Sequence, residues 1–219
     1  MTRNSLWIQR RRKDQYYRLA KDRGYRSRAA FKLSQMIESY RFIQRGDRVI
    51  ELGAAPGGWT QVVAKTVGTE GFVLGVDIKP IEPLDQSQVG FLKLDITSDS
   101  IIETLTEKFT NKVDAIISDV SPNVSGAWDV DHSRQIYLAQ KSLELARTLL
   151  KAKGNFLVKI FQGSETDQFL KEIRENFHIV RIIRPRATRT SSSEIYVLGL
   201  GFLNRPRSQM EPTDPNSLS

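Results

Sequence analysis

The segment Glu51-Leu-Gly-Ala-Ala-Pro-Gly-Gly-Trp59 constrains the chain more than any other. It follows a short apolar run at 48–52 that reads as a strand, and it opens a helical pattern over about 59–67. Glycines in such a turn let the backbone come close to a ligand. The spacing is not the dinucleotide fingerprint G-x-G-x-x-G, because Ala55 stands where the second glycine would fall. Beyond the turn, strand signals at 72–76, 89–94, 113–117 and 156–160 alternate with helical ones at 100–109, 133–152 and 166–176. Gly154 is expected to stop the long helix at 152. Runs at 178–183 and 195–202 read as a closing antiparallel pair, and Ser27 can cap an earlier helix over 28–40. Strands separated by helices imply an α/β fold, with a mostly parallel sheet covered on both faces.

Three acids stand at successive strand ends: Asp77, 24 positions after Gly53, then Asp95 and Asp119. A carboxylate at the end of the second strand can accept hydrogen bonds from both hydroxyls of a ribose. One at the end of the third can reach an adenine amino group. The plain alternative is that these aspartates cap the helices that follow.

Length and composition narrow the class. The 219 residues suit one α/β domain with small attachments. Cysteine is absent, which excludes disulfides, thiol nucleophiles and cysteine-ligated zinc. His132 and His178, the two histidines, lie far apart, so no metal site is expected. No apolar run approaches the roughly 18 residues that span a bilayer, and the N-terminus has no secretory pattern. A soluble protein of the cytoplasm, without a membrane partner, is expected. The net charge of +8 is concentrated in residues 1–28, where ten Lys and Arg face only Asp14 and Asp22. Trp7, Tyr16, Tyr17 and Tyr25 are interleaved with them. Cations that neutralise phosphates beside aromatics that stack on bases suit RNA, although a solvated charged arm or a membrane-surface helix has a similar composition. The chain divides into a basic, helical RNA-binding arm (1–26), a central domain (27–203) and a Pro-containing tail (204–219) expected to be disordered.

Residues 51–60, Glu-Leu-Gly-Ala-Ala-Pro-Gly-Gly-Trp-Thr, resemble the FtsJ family of ribosomal RNA 2′-O-ribose methyltransferases, and the resemblance runs from about residue 25, through Ser27-Arg-Ala-Ala-Phe-Lys32, to 203. It implies the Rossmann-like methyltransferase fold: seven strands, the last antiparallel. It implies S-adenosylmethionine as cofactor, with Gly53, Gly57 and Trp59 at its methionine and sulfonium end, Asp77 on its ribose and Asp95 on its adenine. Asp119 is expected beside the cofactor as well. The family's Lys-Asp-Lys-Glu set matches Lys32, Asp119, Lys159 and Glu194. The compact chain looks like the branch that modifies a uridine of large-subunit (23S-type) ribosomal RNA, and a monomer is expected. The alternatives are transfer RNA as substrate, or an RNA-binding assembly factor without activity.

These four residues also carry a reading of their own. Lys159 interrupts the apolar run Phe156-Leu-Val-Lys-Ile-Phe161, and burying an unpaired ammonium is costly. It and Asp119 could form a structural ion pair across neighbouring strands. Glu194 could be a plain edge-strand charge, and Lys32 a plain surface lysine. Near a hydroxyl, Lys159 acts as a base if neutral and as an orienting cation if charged. Lys32 favours the first state, while Asp119 and Glu194 favour the second. The loop Ser118-Asp-Val-Ser-Pro-Asn123 occupies the place where amino-group methyltransferases carry a base-stacking aromatic, and Asn123 argues against base methylation.

Overall fold

The computed structural model describes residues 14–109, 111–190 and 192–204. Half of the basic arm, residues 1–13 with Trp7, and all of the tail beyond Asn204 therefore lie outside the described residues. The elements are α1 (Gln15–Asp22), α2 (Ala30–Tyr40), β1 (Arg48–Leu52), α3 (Gly58–Val67), β2 (Phe72–Asp77) and β3 (Val89–Lys93). They continue as α4 (Ile101–Lys108), β4 (Val113–Ser118), α5 (Trp128–Leu149), β5 (Leu150–Phe161), α6 (Thr166–Asn176), β6 (Phe177–Ile183) and β7 (Glu194–Phe202). The strands form one sheet in the order β3-β2-β1-β4-β5-β7-β6. The first five are mutually parallel, and β7 runs antiparallel to both β5 and β6.

Both faces of the sheet are covered, as its near-continuous apolar strands require. Leu33 and Met36 of α2 and Val63 and Val67 of α3 pack with Val49, Ile117 and Leu157 on one face. Leu105 of α4, Leu143 of α5 and Phe169 of α6 pack with Ile50, Ile116 and Phe156 on the other. The chain winds outward from β1 to β3 and then crosses back to β4, so the strand order reverses between β1 and β4. Ligands of open α/β sheets bind at such a point, beyond the carboxyl ends of the strands. Gly53 and Asp119 follow β1 and β4 there, and Asp119 N donates to Leu52 O at 3.0 Å. No helix among the described residues is long and apolar enough to cross a membrane.

Three expectations need correction. The long helix α5 begins at Trp128 and ends at Leu149, not at 133 and 152. Its start lacks apolar periodicity. It is held by the Asp131 carboxylate, which accepts from Ser125 N (2.7 Å), Ser125 Oγ (2.8 Å) and Gly126 N (3.0 Å). Its end comes early because Leu150 already pairs with Val113, and β5 passes the left-handed Lys153 and an irregular register to continue through Phe161. Ser27 does not cap α2. The chain enters that helix through backbone turns from Ala30, Phe31 and Lys32, and the cap residue Ala29 makes no side-chain bond. Ser27 instead faces Gly58 at the start of α3.

The last part of the basic segment is docked on the body. The Asp14 side chain caps α1 and pairs with Arg28 and Arg189, while Ala20 is buried against Phe31 and Ala187.

Gly75 lies in β2 beneath the glycine turn. A Cβ there would come 2.8 Å from Phe91 and 2.9 Å from the Ala54 methyl group. Gly75→Ala should therefore overpack this layer and cost about 1–3 kcal/mol, read by urea unfolding. An unchanged midpoint and slope would show that Ala54 and its loop yield freely.

Candidate active site

The turn after β1 has its conformation dictated by close approach. Gly53 has φ 78°, and a Cβ would lie 2.8 Å from the Val120 nitrogen. Only glycine lets the β1 and β4 loops meet this closely. The Asp77 carboxylate fixes the turn from the side, accepting from Ala55 N at 2.9 Å and from Lys79 N at 2.8 Å. No helix follows β2 directly, so Asp77 is not a cap. Asp95 accepts from Thr97 N and Thr97 Oγ1, both at 2.8 Å, ahead of α4. Together these loops enclose a cavity of about 420 Å³, lined among others by Gly53, Asp77, Ile78, Asp95, Asp119 and Asn123.

Two expected residues lie elsewhere. Trp59 is 3% exposed, donates its Nε1 hydrogen to Ala29 O at 2.8 Å and packs 5.8 Å from the Tyr196 ring. Gly57 faces Arg26 and Ile81. Neither lines the cavity.

Lys32, Asp119, Lys159 and Glu194 are brought together. Lys159 Nζ, 5% exposed, donates to Asp119 O at 2.8 Å and lies 3.2 Å from Asp119 Oδ1. Lys32 Nζ donates to Glu194 Oε2 at 2.6 Å. Tyr196 joins the two pairs, donating to Asp119 Oδ1 at 3.0 Å and accepting from Lys32 Nζ at 3.4 Å. The antiparallel register explains the meeting. Lys159 pairs with Tyr196 and Phe161 with Glu194, so all four side chains share one face of the sheet.

Burial pushes the Glu194 carboxyl up, but the charges of Lys32 and Lys159 and the hydrogen bonds from Lys32 and Ser192 outweigh it, leaving it below the usual range. Burial, with Asp119 and Glu194 nearby, holds the Tyr196 hydroxyl well above its ordinary value, so it stays a neutral donor. On the far side of the cluster lies a second cavity of about 560 Å³, lined by Lys32, Glu194, Arg26, Arg28, Arg189 and Tyr17 among others. Four cations there face the carboxylates of Asp14 and Glu194, which leaves a positive excess. The cluster thus connects a carboxylate-lined cavity to a basic one. Lys32 and Glu194 line the basic cavity and Asp119 the other, while Lys159 is buried between them and lines neither.

Sequence reasoning missed Tyr196, though a signal existed: it lies two residues beyond Glu194 in a strand and therefore on the same face. It also missed Arg26. That guanidinium donates to Pro56 O, Glu82 O and Pro83 O at 3.3, 2.5 and 2.8 Å, tying the glycine turn to the loop before β3. Carbonyl partners far apart in sequence leave no pattern.

Residues 25–202 match the model of a family described as FtsJ-like methyltransferase. The chain is 42% identical over 203 residues to the ribosomal RNA large subunit methyltransferase E of Methanococcus aeolicus, covering 93% of this chain and 76% of that protein. It is likewise 42% identical over 206 residues to the protein of the same name from Methanocaldococcus jannaschii, covering 93% and 84%. A crystal structure from Plasmodium falciparum, assigned as a ribosomal RNA methyltransferase, superposes with a TM-score of 0.73. It shares 26% identity and covers 83% of this chain and all of that one.

Beneath the cavity floor, Glu51 is 1% exposed and accepts a hydrogen bond from Thr60 Oγ1 at 2.6 Å. Burial raises its carboxyl to about 8. The Thr60 bond opposes that rise, and Asp119 and Asp77 add to it. Between the ordinary 4.5 and about 8, the folded chain therefore holds a proton that the unfolded chain releases. Stability must then fall as pH rises through this window, by at most about 1.4 kcal/mol per pH unit. Urea unfolding of the native chain and of Glu51→Gln should diverge accordingly, with the variant gaining relative stability from pH 5 to 8. Parallel pH profiles would mean that Glu51 ionises freely in the fold.

Proposed function

The chain belongs to the FtsJ-like methyltransferase family, and on that premise we propose that it methylates a ribose 2′-hydroxyl, at a uridine, in large-subunit ribosomal RNA. The observation that carries the reading is the Lys32–Glu194 and Lys159–Asp119 cluster, joined by Tyr196 and set between the two cavities.

The methyl donor is S-adenosylmethionine, which supplies a carbon already activated by a sulfonium leaving group. The first cavity suits it in size and chemistry, since ligand pockets run to roughly 300–1,000 Å³. Each Asp77 oxygen accepts one backbone hydrogen bond and keeps a lone pair for a ribose hydroxyl. Ile78, 58% exposed, offers an apolar edge for a base, and Asp95 reaches the same end of the cavity. An acceptor strand lies along the basic cavity, where Arg26, Arg28 and Arg189 attract phosphates.

An ammonium has three N–H bonds, and Asp119 engages two of those of Lys159 through its carbonyl and carboxylate. The third is left for the hydroxyl oxygen. The hydroxyl proton released on methylation would be taken by the Asp119 carboxylate of the Lys159–Asp119 pair, because a charged ammonium has no lone pair to receive it. Lys32, Glu194 and Tyr196 hold that pair in line, and alignment supplies much of the acceleration. Gly57 and Trp59 act from behind the turn, shaping it without lining the cavity.

Mapping 2′-O-methylated riboses in ribosomal and transfer RNA, from cells with and without this protein, tests the function. Loss of one mark in large-subunit RNA is expected. Loss confined to transfer RNA, or no loss at all, would overturn it. Lys159→Ala should bind cofactor nearly as well as the native protein but lower single-turnover methyl transfer by about 10²–10⁴-fold. Lys159→Arg should fail too, because a planar guanidinium differs in shape from a compact ammonium. A near-normal rate in Lys159→Ala would remove the lysine from the chemistry. Asp77→Ala should weaken cofactor binding by about 1.5–3 kcal/mol in calorimetry, the range for hydrogen bonds to a charged group. Unchanged affinity would refute its place on the ribose.

A further inference from the structure

We infer that Trp128 is a stacking platform for an unpaired RNA base adjoining the methylated ribose. The inference rests on the proposed function and adds to it a residue that recognises the substrate. Trp128 opens α5 and is 47% exposed, an unusual position for the largest apolar side chain. Its ring lies against two others. The His132 ring lies 6.2 Å away at 16°, and the Phe161 ring 6.0 Å away at 26°, so the three are nearly parallel. His132 is fixed in turn, its Nε2 accepting from Glu165 N at 3.0 Å. Nearly half of the side chain remains exposed, and its contacts with two rings restrict its motion, so little entropy is lost when a base settles on it.

Its place in the fold ties it to the reaction centre. Phe161 ends β5, two residues past Lys159 and paired with Glu194, so the ring that backs Trp128 belongs to the strand that carries the lysine. Gln135, two turns along the same helix, donates to Val120 O (3.1 Å) and Lys159 O (2.9 Å), locking α5 to the strand that carries the lysine. The Ser118–Asn123 loop has an asparagine where base methyltransferases have an aromatic, so no ring inside the cavity captures a base. An enzyme that alkylates a ribose leaves the base outside that cavity, and single-stranded RNA is held by stacking such bases on aromatic rings. The basic cavity, where cations attract phosphates, is lined by Glu194, and Glu194 pairs with the Phe161 that backs Trp128.

The test measures methyl transfer by the full chain to purified large ribosomal subunits that lack the mark, with Trp128→Ala, Trp128→Leu and Trp128→Phe. Trp128→Ala and Trp128→Leu should raise the KM for subunits by about 5- to 150-fold, the range for loss of one base–aromatic stack. Their kcat and cofactor affinity should be little changed. Trp128→Phe should recover most of the loss. Leucine covers His132 and Phe161 but offers no ring face, so a purely packing role predicts that leucine and phenylalanine behave alike. That result, or an unchanged KM in all three, would overturn the platform while leaving the methyltransferase reading intact. A native chain that transfers no methyl to the subunits would overturn both.

Discussion

An ammonium buried within a sheet is tolerable only when its charge and its hydrogens are met, and Lys159 imposes that demand on three strands. β4 answers with both the carbonyl and the carboxylate of Asp119. β7 answers with Tyr196, which donates to that same carboxylate, and with Glu194, which Lys32 of α2 neutralises. Removing any one member would leave another buried group with less than it needs. The cluster is therefore a connected polar network inside an apolar framework, and its members fix one another's positions. Rigidity of this kind is what a methyl transfer requires, since little is left for the protein to supply beyond alignment and a destination for one proton.

The antiparallel strand gives this arrangement its geometry. Had β7 run parallel to β5, its register would not set Tyr196 opposite Lys159 and Glu194 opposite Phe161. The strand-order reversal between β1 and β4 opens the carboxylate-lined cavity, where Gly53 admits Val120 and Asp77 holds the turn. The two topological features thus set the two cavities against one cluster. Arg26 and the docked helix α1 belong to the basic side. Cations that look like a separate basic arm in sequence are, from Asp14 onward, partly spent on holding that side together. Glu51 sits beneath the cluster as a neutral acid, so the floor of the site adds no second negative charge near Asp119 at neutral pH.

The sequence by itself determined the strand–turn–helix at 48–67, the alternation that demands a parallel sheet, the closing antiparallel pair, the acids at strand ends and the lysine within an apolar strand. These follow from local rules of periodicity, glycine in tight turns, and charge in apolar runs, and they are visible in adjacent residues. Only the tertiary structure decided how those residues meet. The start of α5 depends on Asp131 folding a loop back onto the helix, and the start of α2 on backbone turns, so neither boundary follows from periodicity or from Ser27. Trp59 carries a motif position yet is drawn into the core by Ala29 and Tyr196, which are 30 residues before it and 137 after it. Tyr196 and Arg26 gain their roles from partners on other elements. Contacts between distant segments depend on strand register and packing, and the order of residues along the chain does not encode that distance in any local pattern.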